Sequence, residues 1–294
     1  MRSTIARFTY FWYILFMHSE ARQSTQTVFA KTVTGYVGRE FPPADEVLSF
    51  DGQVWGLTED IGSPAYWAAQ AWMWEIEAPE HYRLGRSLEE ELIACLLGGY
   101  GIPAEVGLAA YERVRAVNAE EPDRLLDAET VLGLLKEPLI LKGRPVRYRF
   151  ANQKSAYLSA SMRKLRELDH AAPDRHLRDA LTTLPGVGPK TASWVVRNWR
   201  SSDSVSILDI HILRAGRILK IFPKTWSVEK HYLQLEDAFL RFAKDISVKA
   251  SILDSVMWMN MRQIPGAILR RLIDPETHPP EVVQRHPRQM ELAL

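Results

Sequence analysis

The chain of 294 residues has one cysteine, Cys95, and no marked net charge. A single cysteine excludes a disulfide within the chain, and excludes any cysteine-ligated iron–sulfur cluster or structural zinc site. The neighbours Leu92, Ile93, Leu96 and Leu97 are apolar, so Cys95 reads as a small buried hydrophobe. With 37 Lys and Arg against 36 Asp and Glu, the formal charge is +1, and composition alone gives no case for a polyanionic partner. Long apolar runs are also missing. Arg2 and Arg7 precede Phe8-Thr9-Tyr10-Phe11-Trp12-Tyr13-Ile14-Leu15-Phe16-Met17, which is too short to cross a bilayer as a helix. The run is signal-like in length, but it is rich in aromatics and has no small-x-small cleavage site. A buried strand or helix, or an over-extended gene start, is expected rather than export, and residues 1–25 stay unassigned. No other stretch suits a membrane. Internal repeats at solenoid periods are absent too.

What is present is an ordinary folded composition with charge unevenly placed. Residues 87–137 hold eleven acids and four bases, whereas residues 186–224 hold seven bases and two acids. A local basic face lets a near-neutral protein hold a polyanion. Residues 25–62 mix β-branched residues with Gly and Pro and read as loops and short strands. Pro64 opens a helix carrying Tyr66, Trp67, Trp72 and Trp74. From there helices dominate. Ser87-Leu88-Glu89-Glu90 is a capping box, and the helix behind it breaks at Gly98-Gly99-Tyr100-Gly101-Ile102-Pro103. Further helices are expected from Ala104, over 127–137, and over 153–168. Residues 143–150 form a basic loop with one proline. More helices are expected from Pro173 to Leu184, over 189–200 and over 210–221. Val228, Tyr232, Leu235, Phe239 and Phe242 mark one face of another. Residues 249–261 form the last long helix, and the tail beyond Asp274 is rich in Pro and His. The fold class is therefore mainly α, with a small irregular or β-containing N-terminal segment. The expected division is a region 26–86 packing with the C-terminal helices, a helical domain 87–222, C-terminal helices 223–274, and a tail 275–294.

The densest chemistry lies in Leu184-Pro185-Gly186-Val187-Gly188-Pro189-Lys190-Thr191-Ala192. Gly186 and Gly188 permit positive φ and close approach of another backbone. Unpaired N–H groups where the helix begins at Pro189 suit a phosphate, and such a hairpin reads DNA backbone without reading sequence. Turn carbonyls of Thr182, Leu184 and Val187 can hold a monovalent or hard cation. Lys190 falls in the first helical turn, where the dipole favours a neutral, nucleophilic amine. Asp209, in Ile207-Leu208-Asp209-Ile210-His211, stands just before a helix as an N-cap, and a carboxylate about twenty residues after the hairpin can serve cleavage of a base from its sugar. His211 points to another face of that helix.

This hairpin followed by Leu208-Asp209-Ile210-His211 resembles the helix-hairpin-helix DNA glycosylase superfamily. Tyr157-Leu158-Ser159-Ala160-Ser161 and Met261-Arg262-Gln263 look most like its 8-oxoguanine glycosylase branch. The resemblance covers about Leu92 to Gln263 and implies two helical subdomains flanking a DNA-binding cleft. It implies that Lys190 attacks C1′, displaces a damaged base and leaves a Schiff base, after which β-elimination nicks the strand. Asp209 would stabilise charge developing on the sugar. Gly186, Val187, Gly188, Thr191 and His211 would meet the DNA backbone or the flipped nucleotide. Lys154 stands where the family often has an Arg that reads the widowed base. Tyr100 or Ile102 would fill the gap left by extrusion; the branch commonly has asparagines in that loop, and this chain has none. Leu253 and Met257 occupy the positions expected to carry a Gln and a Phe in the base pocket, with Trp258 nearby, so the pocket departs from the family pattern, while the expected base is an oxidised purine such as 8-oxoguanine. The expected enzyme is a bifunctional DNA glycosylase and AP lyase acting as a monomer on double-stranded DNA with a damaged base or abasic site. It would need no cofactor and would sit with the nucleoid in the cytoplasm if bacterial. The alternatives are a glycosylase for another modified base, or a catalytically silent DNA-binding module.

Overall fold

The computed structural model describes residues 24–49, 52–76, 83–99 and 101–277. The apolar run at 8–17, Tyr100 and the tail past 277 lie outside these. The chain opens with an antiparallel hairpin, β1 (Gln26–Thr32) and β2 (Gly35–Phe41), paired from Gln26 opposite Phe41 to Thr32 opposite Gly35. The Gln26 side chain ties the hairpin down, donating to the carbonyls of Pro42 and Gly56 at 2.8 Å each and accepting from Thr58 N–H at 3.0 Å. Helix α1 (Pro64–Ile76) starts where Ser63 accepts from Tyr66 N–H at 3.0 Å.

Helices α2 (Leu88–Leu97), α3 (Ala104–Glu120), α4 (Ala128–Lys136), α5 (Ala151–Leu165), α6 (Asp174–Leu181) and α7 (Pro189–Arg200) follow. Ser87 caps α2 by accepting from Glu90 N–H at 3.2 Å, while the Glu90 carboxylate reaches back one residue further, to Arg86 N–H at 2.7 Å. Asp127 caps α4 through Thr130 N–H at 2.9 Å. Between α4 and α5 the expected basic loop is a second hairpin, β3 (Leu139–Leu141) with β4 (Arg144–Val146). Its two-residue turn, Lys142-Gly143, has φ of 50° and 76°, the all-positive geometry that matches strand twist. Helices α8 (Ile210–Ile218), α9 (Tyr232–Asp245), α10 (Ala250–Met261) and α11 (Gly266–Ile273) complete the described residues. None of the described helices is long and apolar enough to cross a membrane.

The apolar side chains separate into two cores. The first runs from Leu88 to Val205 and gathers α2 to α7 around Leu92, Ile93, Leu96 and Leu97. Cys95 lies within it, and burial beside Glu91 pushes its thiol well up. The second joins Phe41, Leu48 and α1 to α8–α11 around Trp67, Phe239 and Phe242. Helix α1 thus shares one core with the C-terminal helices. The seam, however, falls between Val205 and Leu208, not at 222. The reason is that Ile212, Leu213 and Ile218 of α8 face Phe239 and its neighbours, not the α2 bundle.

Gly216 of α8 packs its bare Cα against the Phe222 ring. Gly216→Ala should therefore cost about 1–3 kcal/mol. Urea unfolding would show this as a lower midpoint at unchanged slope.

Candidate active site

The hairpin between α6 and α7 has one left-handed residue. Gly186 takes φ of 75°, and the Tyr157 ring of α5 fills the space a Cβ would need. Gly188 instead is extended, at φ −89°, and caps α7. Nothing lies within 4 Å of a Cβ placed there, so this glycine leaves open space in front of the helix. Of the two glycines that permit positive φ, Gly186 alone adopts it. Ser161 Oγ of α5 donates to Pro185 O at 2.8 Å and fixes the turn. Gly186, Gly188 and Pro189 are exposed, Thr191 is half-buried, and the Val187 side chain is packed in the first core. Only the Val187 backbone is therefore available to a ligand. The helical bonds begin with Ala192 N–H to Gly188 O at 2.9 Å, which leaves the N–H groups of Lys190 and Thr191 at the open end. The Leu184 carbonyl already accepts from Val187 N–H at 3.1 Å. Among the described residues no group of three His, Cys, Asp or Glu side chains suits a metal ion.

Asp209 caps α8. Its Oδ1 accepts from His211 N–H at 2.7 Å and Ile212 N–H at 3.2 Å. That leaves Oδ2 to face Lys190, whose Nζ is 3.8 Å away. The lysine comes from α7 in the first core and the aspartate from α8 in the second, so the pair closes across the seam. The Lys190 side chain is 40% exposed and that of Asp209 13%. Solvent and a ligand can thus reach the amine, while the carboxylate is held in place.

The segment leading into Asp209 has no strand partner, yet its three preceding N–H groups all find buried acceptors. Ser206 N–H donates to Glu236 Oε1 at 3.0 Å, Ile207 N–H to Asp254 Oδ2 at 3.1 Å, and Leu208 N–H to Tyr232 Oη at 3.2 Å. The Tyr232 hydroxyl in turn donates to Ser206 O at 2.7 Å. Both acids are paired. Arg178 of α6 meets Glu236 at 2.5 Å, and Arg197 of α7 meets Asp254 at 2.6 Å, with all four side chains at most 4% exposed. The helices of the second core therefore hold the Asp209 segment and, through two arginines, the helices that flank the hairpin. Sequence reasoning missed these four charges. The signal was a charge set among core-facing residues, such as Glu236 beside Leu235 and three residues before Phe239.

His211 lies edge-on to Trp258, with ring centroids 6.5 Å apart, and Arg262 covers a face of that indole at 4.4 Å. Burial lowers the His211 pKa; Asp209 opposes this, while Arg214, Arg262 and Lys190 add to it. Leu253 and Met257 are sealed in the second core, so neither lines an open pocket, and of the three expected pocket residues only Trp258 is exposed. Both side chains belong to the second core rather than to an open surface. Ile102 is half-buried against the first core, beside Gly101 at φ 77°, and Tyr100 lies outside the described residues. Lys154 is half-buried in α5, and desolvation lowers its pKa.

Two outcomes test this geometry. Asp254→Ala should destabilise the fold by about 3–5 kcal/mol, because it strands the buried Arg197 charge. Replacing Arg197 and Asp254 together with Met and Leu should recover much of that loss in urea unfolding. For His211 the folded pKa lies below the unfolded 6.5, so the unfolded chain binds the proton first as pH falls. Its contribution is complete above the unfolded value and declines as pH falls through the folded one. The Tm of wild type should thus drop more between about pH 7 and 5 than that of His211→Gln.

The chain is similar in structure to the 8-oxoguanine DNA glycosylase of Methanocaldococcus jannaschii, at 26% identity and a TM-score of 0.45 over 60% of this chain and 80% of that one. The glycosylase of Thermotoga maritima gives 23% identity and a TM-score of 0.44 over 59% and 78%. Endonuclease III, in a trapped covalent intermediate with DNA, shares the fold at 19% identity and a TM-score of 0.52 over 69% and 88%. A search of curated proteins finds no match. A family model described as 8-oxoguanine DNA glycosylase matches residues 90–248, more than half of the chain. These residues contain most of α2, all of α3 to α7, the hairpin, Lys190 and Asp209, and on that match the chain belongs to the 8-oxoguanine DNA glycosylase family.

Proposed function

We propose that the protein is a bifunctional DNA glycosylase and AP lyase that extrudes and removes a damaged base from duplex DNA. One observation carries the reading: a reachable amine, Lys190, stands 3.8 Å from a carboxylate, Asp209, directly behind a hairpin with open backbone N–H groups. The hairpin grips a phosphate and so sets the sugar against both groups. Lys190 Nζ forms a bond to C1′ as the bond from C1′ to the base breaks, and the base leaves with a proton. The C1′–O4′ ring bond then breaks, O4′ takes up the amine's remaining proton, and a C1′=N Schiff base is left. Removal of a C2′ proton then expels the 3′ phosphate and nicks the strand. Asp209 stabilises the positive charge that grows on the sugar. Its cap bonds from His211 and Ile212 hold it in position, so it need not reorganise during the step.

The family match points to an oxidised purine, with 8-oxoguanine first. A glycosylase for another modified base is kept as the second reading on one observation. Leu253 and Met257 are sealed and apolar, which leaves Trp258, under Arg262, as the exposed surface for stacking in this region.

Borohydride reduction in the presence of abasic duplex tests the chemistry. Wild type should give a covalent protein–DNA adduct and Lys190→Gln none. Asp209→Asn should keep DNA affinity and lose on the order of 100-fold or more in single-turnover excision. Excision by Asp209→Asn near the wild-type rate, or an adduct with Lys190→Gln, would overturn the mechanism. A panel of duplexes, each with one lesion, decides between the two base readings.

A further inference from the structure

The β3–β4 hairpin has no part in the chemistry above, yet it opens a stretch of sequence whose charges are all of one sign. Residues 138–166 contain eight Lys and Arg and no acid. Four of the cations, Lys142, Arg144, Arg147 and Arg149, sit on or just after the hairpin, and all four are exposed. None of the ion pairs among the described residues includes any of them. A basic cluster whose cations have no ion-pair partners lowers net stability through self-repulsion unless an anion is present.

The hairpin is also firmly placed. Tyr148, 5% exposed, donates its hydroxyl to Leu97 O at 2.8 Å, at the C-terminus of α2. The Phe150 ring lies against Gly101, in the loop that follows α2. Arg147 and Arg149, next to these two anchors, therefore lie near the loop that contains Ile102. From Phe150 a single stripe runs along α5 through Lys154, Tyr157 and Ser161, spaced four, three and four residues apart. Tyr157 and Ser161 are the residues that pack and bond the Gly186 turn. At 1.5 Å per residue, Phe150 and Ser161 are about 16 Å apart along the axis. One strand of a duplex carries a phosphate every ~3.4 Å of its axis, so that length spans several phosphates, and Lys154 lies between the two ends.

We propose that the β3–β4 hairpin is a second backbone clamp for duplex DNA, gripping phosphates on the extrusion-loop side while the Gly186–Gly188 turn grips the strand at the other end of α5. This rests on the DNA-processing reading above and adds the path the duplex takes. Two fixed points on either side of the sugar resist sliding while the nucleotide swings out. A grip of this kind depends on charge and has no sequence preference.

The test is the salt dependence of binding to an undamaged duplex, read by fluorescence anisotropy across a potassium chloride series. The full-length wild type is compared with Arg144→Gln/Arg147→Gln/Arg149→Gln. A control, Lys230→Gln/Lys244→Gln, removes exposed cations from around α9. Each cation withdrawn from a phosphate should flatten the slope of log K against log salt by about one, so the triple variant should lose about two to three and bind at least tenfold more weakly near physiological salt. The control should keep a slope near that of wild type. Equal slopes for the triple variant and wild type, or an equal loss in the control, would overturn the clamp and leave the glycosylase reading intact. A wild type that fails to bind duplex at all would instead sink the DNA reading itself. Circular dichroism melting of the triple variant checks its fold, because the side chains removed are exposed and the Tyr148 anchor is kept.

Discussion

The arrangement depends on two buried carboxylates that accept consecutive backbone N–H groups. Glu236 and Asp254 take those of Ser206 and Ile207, and Tyr232 takes the next, so a segment without a strand partner is held as tightly as one in a sheet. Each acid also neutralises an arginine from the opposite core. A buried ion pair seldom adds net stability over apolar packing, because desolvation offsets the attraction. Here it supplies direction. Apolar contact alone would let the two cores slide along their seam, whereas charge-assisted hydrogen bonds fix distance and angle. The Lys190–Asp209 separation is therefore set in part by groups that touch neither residue.

The site inherits its character from that seam. An amine at the open end of α7 and a carboxylate capping α8 have neighbours from different cores, so neither is enclosed by its own bundle. Lys190 stays reachable while Asp209 is held by two N–H bonds. The same division explains why the hairpin precedes the amine so closely. The turn that holds a phosphate and the helix that presents Lys190 are one continuous piece of chain, and Ser161 and Tyr157 brace it from behind. Binding and positioning of the sugar then follow from one rigid element, the arrangement in which a bound geometry is most readily turned into rate.

Local chemistry made much of this legible in the sequence. Gly-x-Gly-Pro before an apolar helix, Ser87 with Glu90, and Asp209 ahead of Ile210 each act within one helical turn, and each stands where its pattern places it. What escaped lay at longer range or shorter length. Glu236 and Asp254 meet residues 30 and 47 positions away, and no periodicity marks such a pair. The three-residue strands β3 and β4 are too short for alternation to register, and their turn, Lys142-Gly143, has Lys where Asn or Asp is the usual signal. The allocation of α8 to the second core depends on which of two apolar surfaces its face meets, and both would satisfy the same helical pattern. Leu253 and Met257 show the limit of alignment. The family pattern puts them at a base pocket, but α10 turns them into the core.

The central claim is that Lys190 and Asp209 act on the same deoxyribose. Structure determination of the borohydride-trapped complex with abasic duplex addresses it most directly. The account predicts continuous density from Lys190 Nζ to C1′, with the Asp209 carboxylate beside the same sugar and the Gly186–Gly188 turn on an adjacent phosphate. A bond to any other amine, or an Asp209 turned away from the reduced sugar, would contradict it.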